Sequence, residues 1–313
     1  MGFNFINLAI SVRTADTRRM LAILLQSGTG FADACRCVSC RWPMRECGQC
    51  SIQDTCDWYR IFGQELASDH DALKRHQKPS LPFVFSFPPC DELAEGTAES
   101  VIGLVVIGQA IAHLPMLLNG LSDFLSHGMS PVPVEIFRIA CRDYQGLAQP
   151  SHGSGPGVKV PNLIPDNLII VSTDGVSESL TWSSSDIQIR LRSPLRLIEN
   201  GHSVVRFEFG RFARSVMRRV SSLSYYYGES ELDCDFKALT RQFDDVICSE
   251  DRFCYTKNQN NKMTGITGYG RFQGDFSQFL PLLMIGSYVH TGKGATFGMG
   301  MYEAIRVDGS GEL

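Results

Sequence analysis

The sequence predicts an α+β fold, because each half of the chain reads roughly as strand, helix, strand, strand, helix, strand, the order of a ferredoxin-like domain. Two further observations complete the expectation. A Gly/Pro/Ser-rich stretch, Gln149–Pro165, lies between the halves and is the best linker candidate. Six cysteines crowd the polar stretch Cys35–Cys56 and interrupt the first half. The expected architecture is therefore two tandem domains, 1–150 and 166–313, with a cysteine-rich, zinc-binding insertion at 35–60 in the first.

In chain order, Phe3–Val12 alternates as an opening strand with Phe3, Phe5, Leu8 and Ile10 as core candidates. Arg18–Gln26 reads as a helix that Gly28 and Gly30 terminate. Strands follow at Leu81–Phe87 and Ser100–Ile107, a helix at Ile111–Leu125, and a strand at Val132–Ala140. In the second half Ile187–Leu191 reads as a strand and Val204–Tyr227 as a long, arginine-bearing helix. Met263–Phe272 is a glycine-punctuated strand. Phe276–Val289 reads as an amphipathic helix capped by Asp275, with Gln278 as the reciprocal partner. Thr296–Val307 closes the chain as a strand.

The 313 residues are 43% hydrophobic and 20% charged, so a packed core is expected. A net charge of −4 argues against a protein that coats nucleic acid without selectivity, but a local basic face on such a chain can still bind RNA. The N-terminus lacks the pattern of a secretory leader, and Val101–Ile111 is too short for a membrane span and is broken by Gly103 and Gly108. The expectation is a cytoplasmic protein with its cysteines reduced or metal-bound.

Gly292-Lys293-Gly294-Ala295-Thr296-Phe297-Gly298-Met299-Gly300 lies between a helix and a strand. Glycines admit positive φ and close backbone approach, freed amides can cradle phosphate, and Lys293 adds charge beside them. The GKS/T ending of a nucleotide-binding loop is missing and the helix precedes the glycines, so neither an NTPase loop nor a dinucleotide fingerprint fits.

The run GDFSQFLPLLMIGSYVHTGKGATFGMGMYE resembles the C-terminal signature of the CRISPR-associated pre-crRNA-processing endoribonucleases, in the RAMP superfamily. GITGYGRFQ at 265–273 and IRLRSPLRL at 189–197 resemble two of that family's strands, and the cysteines leading into Cys56-Asp57-Trp58-Tyr59-Arg60-Ile61-Phe62 resemble its cysteine-rich branch. The resemblance implies two ferredoxin-like (RRM-like) domains and metal-independent cleavage by ribose 2′-hydroxyl attack on the adjacent phosphate. It also implies CRISPR repeat RNA and crRNA as partners, with other CRISPR effector-complex subunits and no membrane. A crRNA-holding subunit without catalysis is the other reading of the same resemblance.

Such cleavage needs a base, an acid and a cation. His290, beside the glycine-rich segment, is the first catalytic candidate, against a helix-end histidine that packs or meets the helix dipole. Tyr288 and Lys293 come second, against packing and phosphate contact. An N-terminal-domain histidine is the base in many members of the resembled family, but neither His70 nor His76 aligns with it. For RNA binding, Arg211, Arg214 and Arg218 share one helical face, with Arg219 beside them; the other reading is a solvated face paired with acids. Gly292, Lys293, Gly294, Thr296, Gly298 and Gly300 complete the RNA-binding set. Cys37-x-x-Cys40 and Cys47-x-x-Cys50 are two CxxC pairs suited to structural zinc, with Cys56 able to replace Cys37 or Cys40, against free or partly oxidised thiols. No catalytic metal is expected.

Overall fold

The computed structural model describes residues 2–24, 28–43, 46–69, 78–88, 99–127, 134–150, 160–164, 167–180, 185–232, 234–257 and 264–307. Most of the expected linker, and both His70 and His76, lie outside the described residues.

The first sheet grows around β1 (Asn4–Thr14), which pairs antiparallel with both β3 (Glu99–Ile107) and β4 (Val134–Arg142). β2 (Phe83–Ser86) extends it beyond β3, β5 (Ala148–Pro150) beyond β4, and β6 (Val171–Ser172) pairs with the start of β1. The order β2-β3-β1-β4 is that of a ferredoxin-like sheet. Phe3, Phe5, Leu8 and Ile10 are all buried, yet on opposite faces. Leu8 and Ile10 pack under α1 (Thr17–Leu24), α2 (Gly28–Ser39) and α4 (Leu114–His127), whereas Phe3 and Phe5 join the core of the second half.

Gly28 and Gly30 do not end a helix; they open α2. Their role is close packing, since a methyl on Gly30 would meet the Phe124 ring at 2.9 Å and one on Gly28 the Phe297 ring at 3.0 Å. The cysteine-rich stretch likewise begins inside this helix, and Cys35 is a buried core residue. Beyond α2 the chain runs through short 3-10 turns, Cys47–Gln49 and Gln53–Thr55, into α3 (Asp57–Phe62).

The short helix α5 (Thr173–Glu178) leads to the second sheet, whose order is β10-β11-β7-β12: β10 (Ile247–Thr256), β11 (Gly265–Gln273), β7 (Asp186–Leu195) and β12 (Tyr302–Arg306). With α6 (Phe209–Tyr227) after β7 and α8 (Leu280–Val289) after β11, it repeats the ferredoxin-like arrangement. Additions to that plan are α7 (Phe236–Asp244) and a hairpin of β8 (Ile198–Glu199) and β9 (His202–Ser203). α8 starts four residues later than the sequence suggests, because Pro281 occupies its first turn and Phe276–Phe279 form a preceding bend. Asp275 accepts the Ser277 amide at 3.0 Å within that bend, and Gln278 accepts from Gln242 at 3.0 Å instead of closing a capping box.

The second face of the first sheet, with Phe5, Val84, Val105 and Ile107, shares one core with α6, α8 and the inner face of the second sheet. Among the described residues, no helix is long and apolar enough to cross a membrane.

Candidate nucleic-acid interface

The glycine-rich segment is built by positive backbone φ at Gly292 (82°), Gly294 (84°), Gly298 (88°) and Gly300 (63°). Gly300 is the most constrained: an added methyl would lie 1.8 Å from the Thr291 carbonyl oxygen. The loop then wedges between the sheets. The Phe85 amide donates to the Thr296 carbonyl at 2.8 Å, and Phe297 stacks on Phe85 within the first core. On the other side the Lys293 amide donates to the Arg196 carbonyl at 2.8 Å and the Gly300 amide to the Pro194 carbonyl at 3.0 Å.

This geometry corrects the reading of the loop as a cradle of free amides. Seven amides between Thr291 and Gly300 donate to protein carbonyls, and Thr296 is buried. What the loop offers outward is Lys293 and Gly294, both exposed. Lys293 and Gly292 form one wall of a groove of about 260 Å³ whose other walls are α6 and the β8–β9 hairpin. Among the described residues, Arg196, Arg211, Arg214, Arg218 and Lys293 line it, against Glu199 as the single lining carboxylate.

Arg211, Arg214 and Arg218 thus do share one face, and the acids that pair with them come mostly from elsewhere. Arg211 contacts Glu208 at 2.9 Å and Glu199 at 3.2 Å, and Arg214 contacts Asp244 at 2.7 Å. Exposed pairs of this kind contribute only about 0–1 kcal/mol each, so a phosphate can displace them. Arg219 turns away, donating to the Val289 carbonyl at 2.6 Å and to the Thr296 hydroxyl at 3.5 Å. Burial lowers its pKa to about 10, and it braces the loop from beneath.

His290 is 2% exposed, and burial, then the nearby Arg219 charge, push its pKa down to about 3. It stands neutral behind the loop, out of reach of a ligand in the groove. Tyr288 packs its ring 4.9 Å from Phe5 and donates its hydroxyl to the Tyr144 carbonyl at 3.1 Å, a contact between the halves. Of the three catalytic candidates only Lys293 faces the groove. Arg196 and Glu199 were not singled out by the sequence, although the Ser193-Pro194-Leu195-Arg196 step carries the first of them.

Among the described residues the candidate cysteines lie along consecutive elements of the first half. Cys37 is exposed on α2; Cys40, Cys47, Cys50 and Cys56 are half-buried along the turns that follow. Among the described residues no three His, Cys, Asp or Glu side chains are grouped to hold an ion.

Residues 189–302 match the family model of the CRISPR-associated endoribonuclease Cas6, and residues 29–144 match a second model described as an N-terminal domain. A Cas6 product complex is similar at 13% identity and a TM-score of 0.55, covering 97% of this chain and 100% of that one. A Thermus thermophilus Cas6 gives 11% and 0.53 over 97% of this chain and 99% of that one. A partial Cas6-RT-Cas1–Cas2 complex gives 12% and 0.53 over 99% of this chain and 47% of that one. At such identities the likeness is one of fold, and no curated protein sequence matches the chain. Over residues 189–302 the chain is thus similar to the CRISPR-associated endoribonuclease Cas6 family, and nearly its whole length carries the fold of Cas6 structures.

Proposed function

We infer that the chain is an endoribonuclease that cleaves precursor CRISPR RNA within its repeats and yields mature crRNA. The observation that carries this reading is the groove: five cations on a chain of net charge −4, set within the family-matched segment. The reaction proposed is attack of the ribose 2′-hydroxyl on the adjacent phosphate, which uses no catalytic metal and leaves a cyclic phosphate and a 5′-hydroxyl. Arg211 and Arg218 would neutralise the phosphorane-like charge as it develops. Residues 1–150 and 166–313 are the two domains in this proposal, and effector-complex subunits are the expected protein partners.

The test is incubation of the purified chain with repeat RNA in EDTA, with the fold checked by circular dichroism. Cleavage that persists there, and stops when the nucleotide 5′ of the cut carries a 2′-deoxyribose, supports the enzyme. Burial of His290 favours a second reading, a non-catalytic subunit that holds crRNA. Tight binding to RNA that stays intact would establish that reading instead.

A further inference from the structure

Three histidine side chains are placed among the described residues, and they stand in different settings. His290 is enclosed behind the loop. His113 is held by Asp57, Nδ1 to Oδ1 at 3.0 Å, and shares a pocket with Tyr226 and Tyr227 at the C-terminal end of α6. At 1.5 Å per residue that end lies about 12 Å beyond Arg218 and about 22 Å beyond Arg211. His202 is exposed on the β8–β9 hairpin, which is itself a wall of the basic groove.

The hairpin fixes where His202 sits. Its turn residues, Asn200 and Gly201, both have positive φ, 50° and 80°, as a tight two-residue hairpin turn requires. That turn makes His202 the direct cross-strand partner of Glu199. Directly opposed residues project from the same face with Cβ atoms about 5 Å apart. Glu199 lines the groove and its Oε2 meets Arg211 Nη1 at 3.2 Å. His202 therefore projects beside Glu199, on the hairpin that walls the groove. The charged groups of the groove beside that hairpin are Glu199 on the hairpin itself, Arg211, Arg214 and Arg218 on α6, with Glu208 at the N-cap of α6 pairing Arg211, and Arg196 and Lys293 on the remaining walls.

We propose that His202 is a catalytic residue of the RNA cleavage inferred above, acting as its general base. The imidazole takes the proton of the ribose 2′-hydroxyl, and O2′ forms a bond to the adjacent phosphorus. The bond from phosphorus to O5′ breaks, and the leaving O5′ takes a proton from the Lys293 ammonium. Solvent then removes the proton from His202 and returns one to Lys293, so the cycle consumes no water and no co-reactant. Glu199 is a positioning residue, holding Arg211 against the phosphate and flanking the imidazole.

The proposal rests on the cleavage reading, and the wild-type lane separates the two. Single-turnover cleavage of a transcript carrying a CRISPR repeat is measured for the full wild-type chain, His202→Ala, His202→Gln and His113→Ala, alongside the RNA dissociation constant. Both His202 variants are expected to lose at least about 100-fold in rate, the usual scale for a general base. Their affinity should stay within about threefold (under ~1 kcal/mol), and free imidazole should restore part of the rate to His202→Ala. His113→Ala should match wild type. Wild-type cleavage with undiminished rates in both His202 variants overturns the inference alone. A wild-type chain that binds the transcript and leaves it intact overturns the cleavage reading and this inference together.

Discussion

Replacing Arg211, Arg214 and Arg218 together with alanine removes three of the five cations that line the groove. Each phosphate contact contributes about 0.7 to the slope of log affinity against log salt for a single strand, and about 0.9 for a duplex. The triple variant should therefore flatten that slope by about 2.1 to 2.7. Between 50 and 200 mM salt, a fourfold change, wild type should lose about 20- to 40-fold more affinity than the variant. The ion pairs lost with Glu199, Glu208 and Asp244 are surface pairs contributing about 0–1 kcal/mol each, so the variant should remain folded. The assay is filter binding or fluorescence anisotropy on repeat RNA across that salt range, with melting followed in parallel. A matched control removes Arg252, Arg271 and Arg306 from the exposed strand positions of the second sheet, giving the same change in net charge outside the groove. An unchanged slope in the groove variant, or an equal fall in the control, would refute the assignment of RNA to this groove.

Three further outcomes are expected. His290 has a folded pKa near 3 against about 6.5 unfolded, so the unfolded chain takes up the proton first. Its contribution to stability is present above about pH 6.5 and is lost as pH falls toward 3, by about 2 kcal/mol at pH 5; denaturant melts of His290→Gln should lack that part of the acid sensitivity, and an identical pH dependence would count against its burial. Gly300→Ala puts a methyl 1.8 Å from the Thr291 carbonyl oxygen at φ 63°, and calorimetry should show a loss above about 2 kcal/mol; a variant as stable as wild type would contradict the loop geometry. A structural zinc is proposed to gather Cys40, Cys47, Cys50 and Cys56, the half-buried thiols of the cysteine-rich segment; metal analysis should find about one zinc per chain, and less than about half would defeat the idea.

The sheet elements were legible because their side chains alternate, but alternation alone did not reveal what lay against each face. Phe3, just before β1, and Phe5 fall on one parity and Leu8 and Ile10 on the other, which is the pattern of a strand covered on both sides. β10 escaped notice because it is an edge strand with mostly exposed side chains, leaving little hydrophobic contrast to read. Gly28 and Gly30 misled because a glycine that ends a helix and one that lets a ring pack against it look alike in sequence. In the site, the arginine row was visible from helical spacing, since three and four residues bring side chains to one face. The fate of His290 was not, because adjacency in sequence to a ligand-facing loop does not fix the side of the loop on which a side chain lies. His202 and Glu199 pair across a six-residue hairpin, Ile198–Ser203, with little apolar pattern, so only its turn geometry makes them neighbours.

The wedge made by Thr296 and Phe297 has a consequence for how the molecule can be divided. The residue that follows Lys293 by four, Phe297, is packed against Phe85 and Phe31 in the N-terminal core, and the Thr296 carbonyl closes a hydrogen bond to the edge of the first sheet. One wall of the groove is thus anchored in a sheet some two hundred residues away in the chain. Excised on its own, the family-matched segment would keep its arginines while losing the abutment that sets the span between Lys293 and Arg211. The segment that carries the signature and the geometry that gives it a purpose belong to different halves of the chain.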